Sequence, residues 1–440
     1  MGLPDAFRFY LSIIYTWLIT IVEFAIRIIH GRIYLPSVLL TFLILLSAFT
    51  APHAAYGETL SSRRYLTGDW GGARQRLTDW GLTPTITYSA DIQGNPVGGF
   101  RKRIEYAGLL NIYLDFDLEK IFGLKRTKLV VSGFWALGND LSKSALGNYF
   151  TVADDFNGDY GGLYQLYLKT NFLEERLVLA LGRMGIGDDF ATVEASGSYV
   201  SDAMNPNPDS LGYNIPAFLS NPDAALGARF SVKPAETFYL AGGVYNADPE
   251  STRISRFTSN IDFTFDDGVI LIAEAGFTPD GDEATGNAYK LGVYYDSGEF
   301  DHFSKEGEER SGNYGFYALA QQTVYGEPGN HDEGLTLWAG ATLAPDEDIN
   351  TFPYFLSGGL LYEGLIPGRG GDVAAFGAAY GGLSSELEGQ DFEIVLEWTY
   401  ACQVFPWLAL QPDLQWIINP GGTGDIPDAL VAGIQISLNL

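Results

Sequence analysis

At 440 residues, with 46% hydrophobic and only 18% charged side chains, the chain has ample apolar surface to bury, which argues against disorder. Asp and Glu outnumber Lys and Arg by 54 to 26, which argues against nucleic acid as a partner because its phosphates would be repelled. A single cysteine, Cys402, excludes an intramolecular disulfide framework, and four histidines leave no room for a three-histidine metal centre once His30 and His53 are assigned to the leader; no metal and no cofactor is expected.

The chain opens with residues 1–57, read as a leader. Residues 33–50, "IYLPSVLLTFLILLSAFT", follow Arg27, His30 and Arg32 and precede small residues at Ala55 and Gly57, the plan of a secretory signal peptide. Residues 1–30 form a second apolar stretch, interrupted by Glu23 and Arg27, that need not be translated. Residues 58–81 contain "YLTGDWGGARQRLTDWG", which matches neither phosphate-binding glycine spacing and follows no strand. Asp69 is read as the N-cap of a short periplasmic helix over Ala73–Leu77 and Gly81 as its stop, with Trp70 and Trp80 packing on a barrel rim.

From Leu82 to Leu440 the dominant period is two, the signature of strands with one apolar and one polar face. In "TITYSADI", Ile86, Tyr88, Ala90 and Ile92 alternate with Thr85, Thr87, Ser89 and Asp91. The second strand follows at "YAGLLNIYLDFDL", and further segments fall at 126–138, 162–171, 176–184, 224–233, 236–245, 269–277, 287–297, 313–322, 334–343, 352–363, 372–380, 391–400, 407–418 and 428–440, about sixteen in all. Spans of this length suit tilted membrane strands better than the shorter strands of soluble sheets. The predicted fold is therefore all-β, a transmembrane antiparallel barrel of about sixteen strands with apolar residues facing lipid and polar residues lining a wet lumen. Pro412 predicts a bulge in its strand. If the first strand rises from the periplasm, the outer connections 93–104, 139–161, 185–223 and 246–268 are long and the inner ones short, the outer-membrane pattern. Residues 185–223 are the candidate constriction loop.

Three blocks, in order, resemble the carbohydrate-selective porins of the OprB type in Gram-negative outer membranes: "LTGDWGGARQRLTDWG" with "YSADIQGNPVGG", then "LYQLYLKTNFLEERLVLALGRMGIGDDFA", then "LQPDLQWIINPGG" leading into "DALVAGIQISLNL". The resemblance implies a sixteen-stranded barrel, a signal peptide, outer-membrane lipid around the barrel, and passive diffusion of carbohydrate solutes through a narrowed lumen, without enzymatic activity. Porins of this sort are often homotrimers. They usually end in an aromatic residue, where this chain has Leu440. The competing reading is a structural or adhesive barrel with a closed lumen. A barrel enzyme is disfavoured because only His302 and His331 could serve as a histidine base.

A sugar channel needs aromatic faces and polar groups inside. Period two places Trp338 inward with Thr336 and Thr342, the best stacking candidate, and adds Tyr113, Asp115, Arg229, Lys290, Glu393, Glu397, Asp413 and Gln415 as pore-lining or sugar-contact candidates. Arg183 shares the parity of Leu177, Leu179 and Leu181, so a pore role for it requires a bulge or a strand ending at Gly182. Asp188, Asp189, Glu194 and Asn205 are the constriction-loop candidates. Asp155, Asn157 and Asp159 are spaced like calcium ligands, but Tyr160 stands where the loop needs glycine and the closing Glu is missing.

Overall fold

Alternation of apolar and polar side chains produces a strand with two unlike faces, and sixteen such strands leave no unpaired edge only by closing on themselves. The computed structural model, which describes residues 59–440 except 156–157, 205, 219, 249–267, 280, 282–285, 306 and 329, has this architecture. The leader therefore lies outside the described residues, as do Asn157 and Asn205.

The strands are β1 (Leu82–Val97), β2 (Ile104–Asp117), β3 (Thr127–Gly138), β4 (Tyr160–Phe172), β5 (Leu177–Met184), β6 (Ala225–Ala235), β7 (Phe238–Asn246), β8 (Val269–Phe277), β9 (Asn287–Asp301), β10 (Glu309–Glu327), β11 (Asn330–Leu343), β12 (Tyr354–Glu363), β13 (Val373–Gly382), β14 (Phe392–Phe405), β15 (Leu408–Ile418) and β16 (Ala429–Asn439). Each pairs antiparallel with its chain neighbours, and β1 closes on β16 from Thr87↔Asn439 to Val97↔Leu430. Among the described residues no helix is long and apolar enough to cross a membrane; the strands make the crossing.

The outward face is apolar: Leu181, Leu291, Phe316, Leu356 and Trp398 are all exposed. Aromatic stacks mark the two ends of the band. Tyr380 lies between Tyr354 and Phe392 at the long-loop end, while Phe277 stacks on Tyr289 and Tyr325 approaches Tyr362 at the short-turn end. The inward face carries buried polar residues such as Asp91, Gln93, Glu274, Gln321, Glu397 and Gln415.

Two local expectations are corrected. Pro412 creates no bulge: β15 stays in register with β16 at Pro412↔Ile434, and its ladder to β14 skips the residues opposite Pro412 while keeping the same register on either side. That arrangement spares a ladder bond for which proline has no N–H. Asp69 is not the helix cap either. A 3-10 turn, Trp70–Gly72, precedes α1 (Ala73–Trp80), whose N-cap is Gly72 in the left-handed region; the Asp69 carbonyl, not its carboxylate, accepts the Gly72 and Arg74 N–H groups. Gly81, at φ 115°, ends α1 as expected.

Helix α1 sits at the seam. Arg74 is 6% exposed and its guanidinium lies 3.9 Å from the Tyr65 ring centroid and 4.0 Å from that of Trp70. It donates to the carbonyls of Pro84 on β1 and Leu440 just beyond β16, at 3.3 and 2.7 Å. The Leu66 N–H also donates to the Asn439 carbonyl. The glycine- and tryptophan-rich opening is thus a brace across the first and last strands.

Candidate functional site

The described residues of two connections, 139–159 and 185–224, fold inward from the long-loop end and pack together as a bar against the inner wall. Both carry apolar side chains that a solvated loop would not need: Leu146, Phe150 and Val152 in the first, Phe190, Tyr199, Met204 and Ile215 in the second, all buried against wall residues such as Ile272, Tyr317 and Phe355. The loops pair with each other, Asp154 N–H to the Val200 carbonyl at 2.9 Å and Asp202 N–H to the Thr151 carbonyl at 3.0 Å.

Backbone N–H groups pulled into a lumen need acceptors, and side chains of the wall supply them. Glu274 on β8 accepts the Ala191 N–H at 3.0 Å, Gln321 on β10 accepts that of Ala195 at 3.0 Å, and Glu397 on β14 accepts those of Val200 and Ser201 at 2.8 and 3.0 Å. Residues 191–201 are slung across the barrel from β8 to β14. Glu393 fastens the other loop through the N–H groups of Tyr149 and Phe150, and reaches Gly421 N–H at 2.7 Å. The amides of Gln93 and Gln415 both donate to the Val152 carbonyl.

These contacts sort the candidates. Glu393, Glu397, Asp413 and Gln415 face inward as their parity predicts, but they lie beneath the bar; Asp413 accepts from the Gln415 amide at 2.8 Å. Trp338 also points inward, yet it is 5% exposed and donates to the Tyr199 hydroxyl at 3.0 Å, so the loop's own aromatic ring covers the face assigned to a sugar. The Tyr113 hydroxyl accepts from the Asn221 amide of the loop, and Asp115 is half-buried on β2 opposite Val130. Glu194 is exposed at the start of a 3-10 turn within the bar.

Arg183 turns inward without a bulge. The ladders of β5 stay in register on both sides, but Gly182 has φ 142°, which breaks the alternation: Leu181 is exposed while Arg183 and Met184 are both buried. Its Nε donates to the Tyr164 carbonyl at 3.0 Å. A Cβ on Gly182 would stand 2.3 Å from the Leu166 carbonyl oxygen. Gly182→Val is expected to destabilise the barrel by roughly 3 kcal/mol or more, from backbone strain and overpacking together, read as a lower urea midpoint for unfolding in detergent.

Four candidates do converge. Asp188, Asp189, Arg229 and Lys290 line a cavity of about 340 Å3 on the short-turn side of the bar, together with Lys233 and Tyr239. This volume falls in the roughly 300 to 1,000 Å3 range of small-molecule sites. Arg229 pairs with Asp189 at 2.7 Å, and Lys290 Nζ donates to the Thr192 carbonyl at 2.7 Å, tying wall to loop. Asp188 accepts from the Tyr164 hydroxyl and from the Gln165 amide.

Burial pushes the Asp188 carboxyl up to about 7; the Asp189 charge adds to the rise and the hydrogen bonds oppose it. The folded state therefore holds this proton more tightly than the unfolded chain does. Its contribution to stability is full below the ordinary carboxylate range and is lost as pH rises through about 7. Ionisation also adds a negative charge to the cavity wall. Cation over anion permeability, read from the reversal potential in a salt gradient, is expected to rise between pH 6 and pH 8, and Asp188→Asn is expected to flatten that rise.

Sequence reasoning missed Glu274, Gln321 and Tyr239, and gave 139–161 only as a long outer connection. A signal for Glu274 was present, since it shares the inward parity of Ile270 and Ile272 as their lone carboxylate. His302, considered as a base, has Nε2 3.4 Å from Asp348, whose carboxylate pairs with Arg310 at 2.8 Å; the three cluster at the long-loop end, away from the cavity.

The chain matches the carbohydrate-selective porin family of the OprB type over residues 101–440. It is similar to Porin B of Pseudomonas aeruginosa, 26% identical with 88% of this chain and 93% of that protein covered. A putative porin, QuiX, of Acinetobacter baylyi is 25% identical over 86% of this chain and 93% of its own. The high-pH structure of Pseudomonas putida OprB superposes with a TM-score of 0.79 at 24% identity, covering 87% of this chain and all of the other, a likeness of fold.

Proposed function

The chain belongs to the OprB family of carbohydrate-selective porins, outer-membrane channels for sugars, and from that premise we propose that its sugars are selected in the cavity beside the loop bar. The observation that carries this reading is the convergence of Arg229, Lys290, Asp188, Asp189 and Tyr239 on one water-accessible space beside the loop bar. Donors and acceptors set close together suit a polyhydroxylated solute, whose hydroxyls both give and take hydrogen bonds, and the Tyr239 ring offers an apolar face. No covalent step is needed. Transport requires binding strong enough to favour entry and weak enough to permit exit.

Residues 1–57 are taken, in the same proposal, as a leader removed on export. The homotrimer is carried by the resemblance alone, and the mass of the protein in nondenaturing detergent tests it.

The deciding experiment is conductance of the refolded chain in a planar bilayer with candidate sugars added in turn. Small channels whose current is blocked saturably by a sugar are expected. Absence of conductance from a correctly folded, heat-resistant barrel would replace this reading with the closed structural barrel, in which the bar is a plug.

A further inference from the structure

In a chain of net charge -28, the only run of three consecutive cations is Arg101, Lys102 and Arg103. It stands at the tip of the β1–β2 hairpin, at the long-loop end, and all three residues are exposed. Interleaved with them are apolar residues that water disfavours: Val97 is 56% exposed, Phe100 48% and Ile104 78%. Ile104 continues the outward parity of β2 that Tyr106 and Leu110 share, so it belongs to the lipid-facing side of the rim.

The tip is held rigidly. The Asn95 amide donates to the carbonyls of Gly98 and Arg101, and its oxygen accepts the Arg103 N–H at 3.0 Å. Phe100 and Arg101 N–H both donate to the Ala145 carbonyl, and Gly99 N–H donates to that of Pro427. Gly98 approaches so closely that a Cβ there would stand 1.7 Å from the Asp428 carbonyl oxygen. Lys143, from the neighbouring loop, joins Phe100, Arg101 and Arg103 around a groove of about 490 Å3.

The carboxylates nearby are already engaged. Glu105 takes Arg103 and the Ser144 hydroxyl, both at 3.1 Å; Asp140 accepts backbone N–H groups of Ser142 and Lys143; Asp428 accepts that of Asn419 at 2.9 Å. Three cations, Arg101, Arg103 and Lys143, thus line the groove with two carboxylates, Glu105 and Asp140, and Lys102 stands exposed at the same tip beside the apolar side chains. Lys102 Nζ donates to the Gly98 carbonyl, which orients the ammonium without neutralising it.

We propose that residues 97–104, with Lys143, form a binding site for the phosphorylated glycolipid of the outer leaflet. Arg101, Lys102 and Lys143 meet its phosphates, and Val97, Phe100 and Ile104 lie against its acyl region. Cations beside an anionic lipid surface and apolar side chains in the acyl boundary are complementary contributions, neither sufficient alone. The occupant follows from the location: at this end of an outer-membrane barrel the surrounding phosphate is borne by a lipid.

The test uses the folded mature chain in detergent, the Arg101→Gln/Lys102→Gln/Lys143→Gln variant, and three probes: bis-phosphorylated lipid A, the same lipid dephosphorylated, and inorganic phosphate. Arg103 is left in place because it pairs with Glu105. Expected is saturable binding of the phosphorylated lipid to the parent protein, roughly tenfold to a hundredfold weaker for the variant and weakened by salt. Dephosphorylated lipid should bind both proteins alike and weakly, and millimolar inorganic phosphate should displace little. Equal affinity of parent and variant for the phosphorylated lipid would overturn the site. So would full displacement by inorganic phosphate, which would reduce the groove to a general anion site. Sugar block unchanged in the variant confirms that the barrel is folded, so a loss of lipid binding is not a loss of structure.

Discussion

Glu397→Ala is expected to raise single-channel conductance severalfold and to abolish saturable sugar block, while the barrel itself remains heat-resistant. The carboxylate is fully buried and accepts two N–H groups of the bar, from Val200 and Ser201, at the point where the two loops pair through Val200 and Asp154. A buried hydrogen bond contributes about 0.5 to 1.5 kcal/mol, and stranding each of the two buried donors costs about 1 to 3 kcal/mol. The ladders of β14 to β13 and β15 do not involve the side chain, so closure of the barrel is not at stake. Glu397→Gln keeps one acceptor oxygen and should fall between parent and alanine. Gln321→Ala, which removes a single uncharged acceptor for Ala195, should show the same direction more weakly. Unchanged conductance and unchanged half-blocking sugar concentration in a folded Glu397→Ala protein would show that the bar is held by its apolar contacts alone.

Arg74→Ala is expected to lose about 3 to 4 kcal/mol of stability, measured as the temperature at which the folded form disappears on a heat-modifiability gel. The guanidinium is sandwiched between Tyr65 and Trp70 and bonds to the Leu440 carbonyl beyond β16 and the Pro84 carbonyl on β1. A desolvated cation over aromatic rings contributes about 2 kcal/mol, and a charge-assisted hydrogen bond about 1.5 to 3, less what desolvation of the charge costs. Arg74→Lys should recover less than half of the loss, because an ammonium lacks the planar fork that lets one side chain stack and reach both strands. A melting temperature for Arg74→Ala within a degree of the parent would sink the brace.

The strands were legible because their cause is local. Each barrel strand must show one face to lipid and one to the lumen, so residues two apart agree and neighbours differ. Segment 269–277 coincides with β8, and most others differ from the observed strands by only a few residues at either end. The length of 185–223 singled out that connection for the same reason, since chain length is a local quantity. Arg183 marks the limit of parity: its inward turn depends on the positive φ of Gly182, which the sequence could only offer as a choice between a bulge and a strand end.

What parity cannot state is whether an inward side chain meets water or another part of the chain. Glu397 and Val200 are 197 residues apart in sequence, and Trp338 and Tyr199 are 139 apart. Both wall residues have the same inward position that Arg229 and Lys290 have, yet the former hold or underlie the bar and the latter border the open cavity. Only the course of the loops through the lumen separates the two groups. That course is fixed by contacts that exist only inside the closed barrel: apolar loop side chains packed on the inner wall, and loop N–H groups bonded to carboxyl and amide acceptors there. The amino-acid order alone determined the barrel and the identity of its inward residues, because those follow from a period of two; the tertiary structure decided which of them a passing solute can touch.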